Sequence, residues 1–343
     1  MRRRWIFFLL MVFSSTIVSS QQIIAVNNGT ATHIRGLSVV SDSVAWVSGS
    51  NGMTARSTDG GKSWQWQQIQ GYEKTDFRDI EAFDKQTAIL MGIGSPAVIL
   101  RTSDGGSNWK EVFRNEHKDM FLDAMHFWNV NSGIVIGDPV DGKFFISRTF
   151  DGGKTWEDLP LSQRPEPVDG EACFAASGTN IRGQDRDEAC FITGGIRSRF
   201  FNRNGVVDLP LKQGSSSTGA NSIAVRDFGK LKNSLHLVVV GGDFSNDTAR
   251  EGNCALSTDG GKTWVLPATP PFGYRSSVEY LSKESLLACG TSGIDISEDG
   301  GMNWKNISTE GYHVVRKAKK GSLVLLAGSH GRIARYDAAE RSK

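Results

Sequence analysis

Short apolar runs recur along this chain, and nearly every run ends at a cluster of Gly, Asp, Asn or Ser. Runs of roughly four to eight residues that are rich in Val, Ile, Phe and Trp and bounded by turn residues predict β-strands. At intervals of roughly 40–50 residues, one strand carries a charged or amide side chain near its start. We predict that these strands open seven repeated units, at residues 34–40, 77–83, 121–127, 171–177, 221–225, 275–281 and 313–318.

Five of the predicted turns share nearly the same eight residues. These octets are STDGGKSW at 57–64, TSDGGSNW at 102–109, TFDGGKTW at 149–156, STDGGKTW at 257–264 and SEDGGMNW at 297–304. The carboxylate can accept hydrogen bonds from N–H groups just ahead of it, and the glycines permit the positive φ of a tight turn. The Trp then buries a large apolar area. The aspartates that we therefore expect to be structural are Asp59, Asp104, Asp151, Asp259 and Asp299.

The spacing of these aspartates gives the number of units. Successive aspartates are 45, 47, 108 and 40 residues apart, so the long interval holds two units. Residues 199–209 (RFFNRNGVVDL) predict a strand, a turn and a strand without an octet, and residues 331–337 (GRIARYD) predict a last third strand. Residues 22–26 (QIIAV) can supply the strand still missing. We predict an all-β, seven-bladed β-propeller with four-stranded blades, closed by its N-terminal strand.

Residues 1–20 are predicted to be a secretory signal peptide. Arg2-Arg3-Arg4 precedes the apolar residues 5–13, which are too few to span a bilayer. Val18 and Ser20 stand at −3 and −1 of a cleavage site before Gln21. An uncleaved anchor is the alternative. We expect residues 21–343 to form a single exported propeller, in the periplasm or outside the cell.

The octet resembles the Asp-box, or BNR repeat, of sialidase-like β-propellers. That resemblance implies that the box is structural and closes the turn between the third and fourth strands of a blade. Seven units, dense boxes, a signal peptide and the blade starts Ile34-Arg35-Gly36 and Phe77-Arg78-Asp79 further resemble the photosystem II stability/assembly-factor branch. Membership of that branch implies protein binding on one propeller face without chemistry.

The charge balance bears on the class of partner. Without Arg2, Arg3 and Arg4, the 39 Lys and Arg fall to 36 against 37 Asp and Glu, a net charge of −1. This balance argues against binding to nucleic acid or to an anionic membrane. No apolar run after the signal is long enough to span a bilayer, and no pattern predicts a nucleotide, flavin or metal cofactor. We expect a monomer that binds a protein partner or a glycan.

The chain contains four cysteines, Cys173, Cys190, Cys254 and Cys289. An exported chain permits disulfides. We interpret Cys173 and Cys190 as lying on adjacent strands of one blade, where they could face each other. Small buried thiols are the alternative, and the sequence does not choose between the two.

The residues that begin the predicted first strands are unusually polar. In a propeller these strands line the central channel, and charge that faces inward is costly without partners. The ligand-binding candidates near the strand starts are Arg35, Arg78, Asp79, Tyr274, Arg275 and Tyr312. Arginine offers a fork to a carboxylate, and aromatic faces stack on sugar rings. A charged funnel for a ligand is one interpretation, and a salt-bridged channel wall without a ligand is the other.

Asp123 and Glu171 support an alternative, a glycan-directed hydrolase. We interpret them as standing at matching places on neighbouring blades, and two carboxylates that flank a glycosidic bond can act as acid and base. The Phe/Tyr-Arg-Ile-Pro motif of sialidases is absent, and the nearest segment, Ile34-Arg35-Gly36-Leu37, keeps only the arginine. The binding or assembly module is therefore our first hypothesis and the hydrolase our second.

Overall fold

The computed structural model describes residues 22–27, 30–226 and 234–338, which form seven antiparallel β-sheets. The predicted signal peptide, residues 1–20, lies outside the described residues. The first strands of successive sheets contact one another in chain order, and the last contacts the first, so the sheets form a ring. Two short 3-10 helices lie between strands, at Leu161–Gln163 and Ser329–Gly331. The prediction of an all-β, seven-bladed propeller is confirmed.

The first three blades each contain four strands in sequence order, and β1 (Gln22–Asn27) belongs to the last blade. Blade one comprises β2 (Ile34–Val39), β3 (Ala45–Gly49), β4 (Met53–Ser57) and β5 (Gln65–Gln68). Blade two comprises β6 (Phe77–Ala82), β7 (Ala88–Gly92), β8 (Ala97–Thr102) and β9 (Lys110–Asn115). Blade three comprises β10 (Leu122–Phe127), β11 (Gly133–Val140), β12 (Lys143–Thr149) and β13 (Glu157–Asp158).

Blades four and five are less regular, because two short strands, β14 (Glu171–Ala172) and β17 (Gly194–Gly195), extend the sheet of blade five beyond its first strand. Blade four comprises β15 (Ile181–Asp185), β16 (Glu188–Ile192), β18 (Arg199–Asn202) and β19 (Gly205–Asp208). Blade five comprises β20 (Thr218–Val225), β21 (Leu237–Asp243) and β22 (Cys254–Ser257). In place of a fourth strand in blade five, Val265 exchanges two backbone hydrogen bonds of 2.9 Å with Leu256. The predicted strand pair without an octet, at residues 199–209, is confirmed.

The last two blades show how the ring closes. Blade six comprises β23 (Ser277–Tyr280), β24 (Leu286–Gly290), β25 (Gly293–Ser297) and β26 (Trp304–Ser308). Blade seven comprises β27 (Val314–Lys317), β28 (Val324–Ala327), β29 (Ile333–Asp337) and, as its outer strand, β1. The β1 strand runs antiparallel to β29, with Gln22 opposite Asp337. Closure by the N-terminal strand is therefore confirmed.

The hydrophobic core lies between neighbouring blades. One cluster joins Val47 of blade one to Leu325 of blade seven, and another joins Ile89 of blade two to Phe145 of blade three. Each blade packs on two neighbours, so its middle strands are buried on both faces and read as nearly continuous apolar runs. The core is thus distributed around the ring, and polar groups can gather at its centre.

The octets form hydrogen-bonded turns between the third and fourth strands. The Asp59 carboxylate accepts hydrogen bonds from the Ser63 backbone N–H (2.9 Å), the Ser63 hydroxyl (2.6 Å) and the Ser57 hydroxyl (2.8 Å). These hydrogen bonds lower the pKa of Asp59 to about 2. The Trp64 indole N–H donates to the carbonyl of Gly61 at 3.0 Å, where φ is +83°. Each octet aspartate is therefore occupied by its own turn and serves the fold.

The prediction that residues 171–177 open blade four is wrong. The first strand of that blade is Ile181–Asp185, while Glu171–Ala172 pairs with Gly194–Gly195. The letters EACF occur at both 171–174 and 188–191, and both segments look like strands by pattern. Only the second becomes a strand of blade four, because long-range contacts hold the first one elsewhere. Residues 173–180, which we call the channel segment, form no strand.

The cysteine pairing that we weighed does not form. Cys173 lies in the channel segment and Cys190 on β16, so they are not on adjacent strands. All four cysteines are free and buried. Burial raises the pKa of the Cys190 thiol to about 12, which keeps it protonated at neutral pH. These residues behave as small apolar core residues.

Candidate functional site

Four first strands carry a β-bulge close to their start. The strand pairing skips one residue at the same place in blades one, two, three and five. The skipped residues are Arg35, Arg78, Asp123 and Asn221. A bulge leaves one residue unpaired and redirects its side chain. A repeated backbone irregularity thus presents polar side chains at the end of the channel where the first strands begin, which we call the upper mouth.

A cavity of about 480 Å³ lies at this mouth. We call it the upper cavity, and its lining residues include Arg35, Arg78, Phe121, Asn221, Tyr274 and His313. These residues lie at or just before the first strands of six different blades. Three of the predicted ligand-binding candidates, Arg35, Arg78 and Tyr274, therefore meet in one cavity.

The channel segment, residues 173–180, forms one wall of the upper cavity. Its Ala176 carbonyl accepts a hydrogen bond of 3.1 Å from Arg35, and its Ala175 carbonyl accepts one of 3.5 Å from Arg78. At its far end, the Ser177 hydroxyl donates to the Ser276 carbonyl at 2.7 Å. The segment is thus fixed to blades one, two and six at the upper mouth.

The two arginines keep donors free for a ligand. Arg78 also pairs with Asp76 at 2.8 Å, and its guanidinium lies 5.9 Å from the ring of Phe121. Within the described part of the chain, Arg35 donates to no carboxylate, and burial together with the nearby Arg78 lowers its pKa. Asp76 pairs with Arg78, and Asp138 lines the same cavity, so Arg35 is the cation at this mouth that can offer a direct hydrogen bond to an anionic group.

Tyr274 and His313 complete the polar wall as neutral groups. Tyr274 is 4% exposed, and its hydroxyl donates to the side-chain oxygen of Asn221 at 2.8 Å. Burial raises the pKa of Tyr274. Burial lowers the pKa of His313 to about 3, helped by Arg35, and the ring bonds to the Ser329 hydroxyl at 2.8 Å. Neither side chain is charged at neutral pH, so the arginines supply the cationic character.

Three buried aspartates lie close to the arginines. Burial raises the pKa of Asp79 to about 8, although its carboxylate accepts backbone hydrogen bonds from Ile80 and Met125, both 2.8 Å long. Burial also raises the pKa of Asp138 to about 6, and its carboxylate accepts the Cys173 N–H at 2.8 Å. Burial and then the charge of Asp138 hold the pKa of Asp123 well above its usual range. Asp79 serves the backbone rather than the cavity.

Arg275 and Tyr312 do not reach the upper cavity. The Arg275 side chain is fully buried and pairs with Asp295 at 2.6 Å, and it also donates to the Tyr274 carbonyl at 2.8 Å. Tyr312 is 0% exposed and donates its hydroxyl to Glu310 at 3.2 Å. Both side chains hold neighbouring segments together, and the structure does not place them with Arg35 and Arg78.

Glu171 is bound by protein groups on every side. Its carboxylate accepts two hydrogen bonds from Arg199, at 2.8 and 2.5 Å, one from the Thr193 hydroxyl and one from the Val168 N–H. Its side chain is 0% exposed. Because Glu171 does not begin the first strand of blade four, it and Asp123 do not occupy matching places, and that interpretation is wrong.

Sequence reasoning missed several residues of the cavity. Phe174 and Phe244 contact each other edge to face, with ring centroids 5.8 Å apart, and Phe244 in turn lies 6.2 Å from Tyr274. Asp138 also lines the cavity. The polar turn at residues 137–142 and the Gly-Gly-Asp-Phe run ending at Phe244 were the signals available. Neither signal shows that its residues lie at the channel, because their position depends on the strand register.

The comparison of the sequence with protein families decides the relationship. The family model of the photosynthesis system II assembly factor YCF48 matches the chain twice, over residues 16–118 and 65–177. Over residues 16–177 the chain is similar to this photosystem II assembly-factor family. The matched region contains blades one to three and most of the channel segment, and so includes Arg35, Arg78 and Phe121. No curated protein matches the sequence.

Solved structures similar to this chain extend over nearly its whole length. YCF48 bound to D1 peptide has a TM-score of 0.63 at 15% identity and covers 95% of this chain and 99% of that one. YCF48 from Cyanidioschyzon merolae gives 0.59 at 18%, covering 92% and 98%. The WD40 propeller domain of Doa1 gives 0.61 at 11%, covering 93% and 97%. Since a WD40 domain matches as well as YCF48 does, these likenesses establish the propeller fold and not a ligand.

Among residues 22–27, 30–226 and 234–338, no helix is long and apolar enough to cross a bilayer.

Proposed function

We propose that this protein is an exported binding or assembly module that holds a protein partner at the upper cavity. The observation that carries the proposal is the meeting of Arg35 and Arg78, from neighbouring blades, in a cavity that also holds aromatic side chains. A YCF48 propeller of the same fold has been solved with a D1 peptide, which supports a polypeptide as the class of ligand. The proposed export rests on residues 1–20 of the sequence.

The cavity suits an acidic polypeptide segment. Arg35 and Arg78 can donate to a carboxylate, and an incoming anion offsets the burial and the repulsion from Arg78 that lower the pKa of Arg35. Phe174 and Phe244 give the same site an apolar side on which a neighbouring side chain of the partner can pack. Charged and apolar contacts that lie side by side favour a peptide over a free inorganic ion.

The hydrolase alternative receives no support from these contacts. Glu171 is occupied by Arg199 and Thr193, and it does not line the upper cavity. Asp123 is 0% exposed, so a substrate would have to displace protein to reach it. We therefore advance the binding function alone.

The decisive experiment measures peptide binding by fluorescence anisotropy. Peptides tiled across the exported domains of the host's membrane proteins are tested with the wild type, Arg35→Gln, Arg78→Gln and the double variant. We expect each single variant to weaken binding about tenfold, because a charged hydrogen bond is worth roughly 1.5–3 kcal/mol. Replacing the acidic residues of the bound peptide by their amides is expected to have a similar effect.

Arg114→Gln is the matched control, because Arg114 is an arginine on the outer strand of blade two that pairs with Glu111 at 2.7 Å. It should bind peptide as the wild type does. Equal affinity in the wild type and in the Arg35→Gln/Arg78→Gln variant, with both folded, would remove the upper cavity from the binding function.

A further inference from the structure

The outer end of blade four differs from that of the blades with octets. Its third and fourth strands are joined by a two-residue turn, Arg203-Asn204, where five other blades carry the octet. In those blades the second glycine of the octet lies against the preceding blade. A Cβ on Gly153 would stand 2.3 Å from the Ile89 side chain, and one on Gly106 would stand 3.4 Å from the Trp46 ring. The octet thus covers the outer corner of the blade before it.

Strand register identifies the corner that lacks this cover. Ile89 pairs with Arg101 across the second and third strands of blade two, and Ile134 pairs with Arg148 at the same step of blade three. Ile89 is 0% exposed, because the octet of blade three lies on it. Ile134 is partly exposed, because blade four has no octet to lie there. The uncovered corner therefore belongs to blade three and faces blade four.

The paired arginines show the same difference in their hydrogen bonds. Arg101 donates through Nε to the Gly152 carbonyl, in the octet of the next blade, at 3.0 Å. The Nε of Arg148 is buried and finds no acceptor among residues 22–27, 30–226 and 234–338, although its Nη2 donates to the Asp187 carbonyl at 3.3 Å. An unmet buried donor is costly, and a carbonyl placed as that of Gly152 is for Arg101 would meet it. Arg56, at the same step of blade one, also has an Nε unmet by the described residues although blade two carries an octet, so the exposed apolar corner rather than this donor distinguishes blade three.

A groove of about 290 Å³ occupies this place. We call it the rim groove, and its walls include Ile134, Ile146, Arg148, Phe191, Phe201 and Val206. Phe191 and Phe201 stack with centroids 4.5 Å apart, and Val206 is 47% exposed. The rim groove is mainly apolar, with one unmet donor at its edge, and it shares no lining residue with the upper cavity.

Blade seven shows that the lack of an octet does not by itself open a groove. Its outer strand is β1, so it has no octet hairpin either. Leu287 and Ile296, which form the corresponding pair in blade six, are nevertheless 0% and 4% exposed. Tyr336 packs in the same cluster and covers them. At blade four, no side chain within the described ranges takes this role for Ile134.

We propose that the rim groove docks a turn-forming segment of a partner polypeptide that carries an aromatic side chain. The segment takes the place of the missing octet. Its backbone carbonyl accepts the hydrogen bond of Arg148 Nε, as Gly152 does for Arg101. Its aromatic ring packs on the apolar wall of blade three, as Trp109 of the blade-two octet packs on Trp46 of blade one with centroids 6.2 Å apart. This site lies apart from the upper cavity, so the two can be occupied together.

The test uses the purified protein with isotope-labelled isoleucine methyl groups, followed by NMR. The probe is an acetylated and amidated octapeptide with the sequence of residues 149–156, TFDGGKTW. We expect the methyl signals of Ile134 and Ile146 to shift with a Kd of about 1 mM or lower, while that of Ile89, whose corner is covered, stays in place. The same peptide with Ala in place of Trp should bind at least about tenfold more weakly.

Arg148→Lys keeps the charge and removes the Nε donor, so it should weaken the peptide about tenfold. Arg101→Lys is the matched control and should leave the affinity unchanged. The methyl spectra also report that each variant is folded. The proposal is overturned if Ile134 and Ile89 shift alike, if no shift occurs up to about 5 mM peptide, or if Arg148→Lys binds as the wild type does. Concentration-dependent dimers that Ile134→Asp abolishes would assign the groove to a second copy instead.

Discussion

Folding lowers the pKa of octet aspartates at the outer rim of the propeller and raises the pKa of aspartates around the channel. Hydrogen bonds from the residues just ahead lower the pKa of Asp59 and of Asp259 to about 2. Burial raises the pKa of Asp79 to about 8 and that of Asp138 to about 6. Folding therefore favours the ionised form of an aspartate in the exposed turns and the protonated form at the buried positions around the channel.

This difference sets how each group contributes to stability at different pH. A lowered pKa in the folded state means that the rim aspartates stabilise the fold above their ordinary pKa near 4, and that this contribution is lost as pH falls toward 2. A raised pKa has the reverse effect. The contribution of Asp79 is fully present below about pH 4 and is lost as pH rises toward 8. Lowering the pH therefore reduces the stability contributed by the octet aspartates, and raising the pH reduces that contributed by the buried aspartates around the channel.

The largest effect is expected from a buried charge pair. Arg275 and Asp295 are 2.6 Å apart with both side chains 0% exposed, so Asp295→Asn leaves an uncompensated buried cation and should cost about 3–5 kcal/mol. Arg197 and Asp208 are also 2.6 Å apart, but their side chains are 46% and 54% exposed. Asp208→Asn should cost less than about 1 kcal/mol. Urea unfolding followed by Trp fluorescence gives both values, and similar costs would show that burial does not govern these pairs.

A smaller effect is expected from the rim. Asp259→Ala removes the acceptor of the Thr263 N–H (3.0 Å), the Thr263 hydroxyl (2.6 Å) and the Ser257 hydroxyl (2.8 Å). It should lower the free energy of unfolding by about 1–2 kcal/mol, because the freed donors can still reach water. Asp259→Asn keeps one acceptor and should lose roughly half as much. A loss as large as that of Asp295→Asn would contradict a local role for the octet.

A further effect, on the pH dependence of stability, concerns Asp79. The free energy of unfolding of the wild type should fall by about 1 kcal/mol or more between pH 5 and pH 8 as this buried carboxyl loses its proton. Asp79→Asn cannot ionise, so its curve should be flatter over the same range. Denaturant titrations at several pH values compare the two, with Asp208→Asn as a variant of an exposed carboxylate. Parallel curves for wild type and Asp79→Asn would assign the pH dependence to another group.

The rim was largely predictable because its chemistry is local. Eight residues contain the turn, its glycines, the acceptor carboxylate and the Trp, so the sequence predicts the hairpin without knowledge of the rest of the chain. Counting these hairpins also led to the seven blades and to the closing strand. Of the candidate site, the same reasoning placed Arg35 and Arg78 at the starts of their strands.

The channel was less predictable because its contacts join distant residues. The hydrogen bonds from Arg35 and Arg78 to the channel segment connect residues 141 and 97 positions apart. The sequence did contain a signal for the first strand of blade four, because Ile181-Arg182-Gly183 repeats Ile34-Arg35-Gly36. Arg182 nevertheless lies 3.6 Å from Glu279 and does not line the upper cavity. A shared motif locates a strand but not the direction of its side chain.

The pairing of β1 with β29 has a consequence for the order in which the molecule can fold. The strand Gln22–Asn27 is synthesised before every blade, yet its partner, Ile333–Asp337, is made after all of them. Joining two such distant segments pays the loop-closure entropy of almost the whole ring, so the early blades must form while the circle is still open. Until β29 has been made, β1 has no partner strand. Closure of the ring therefore requires both ends of the chain.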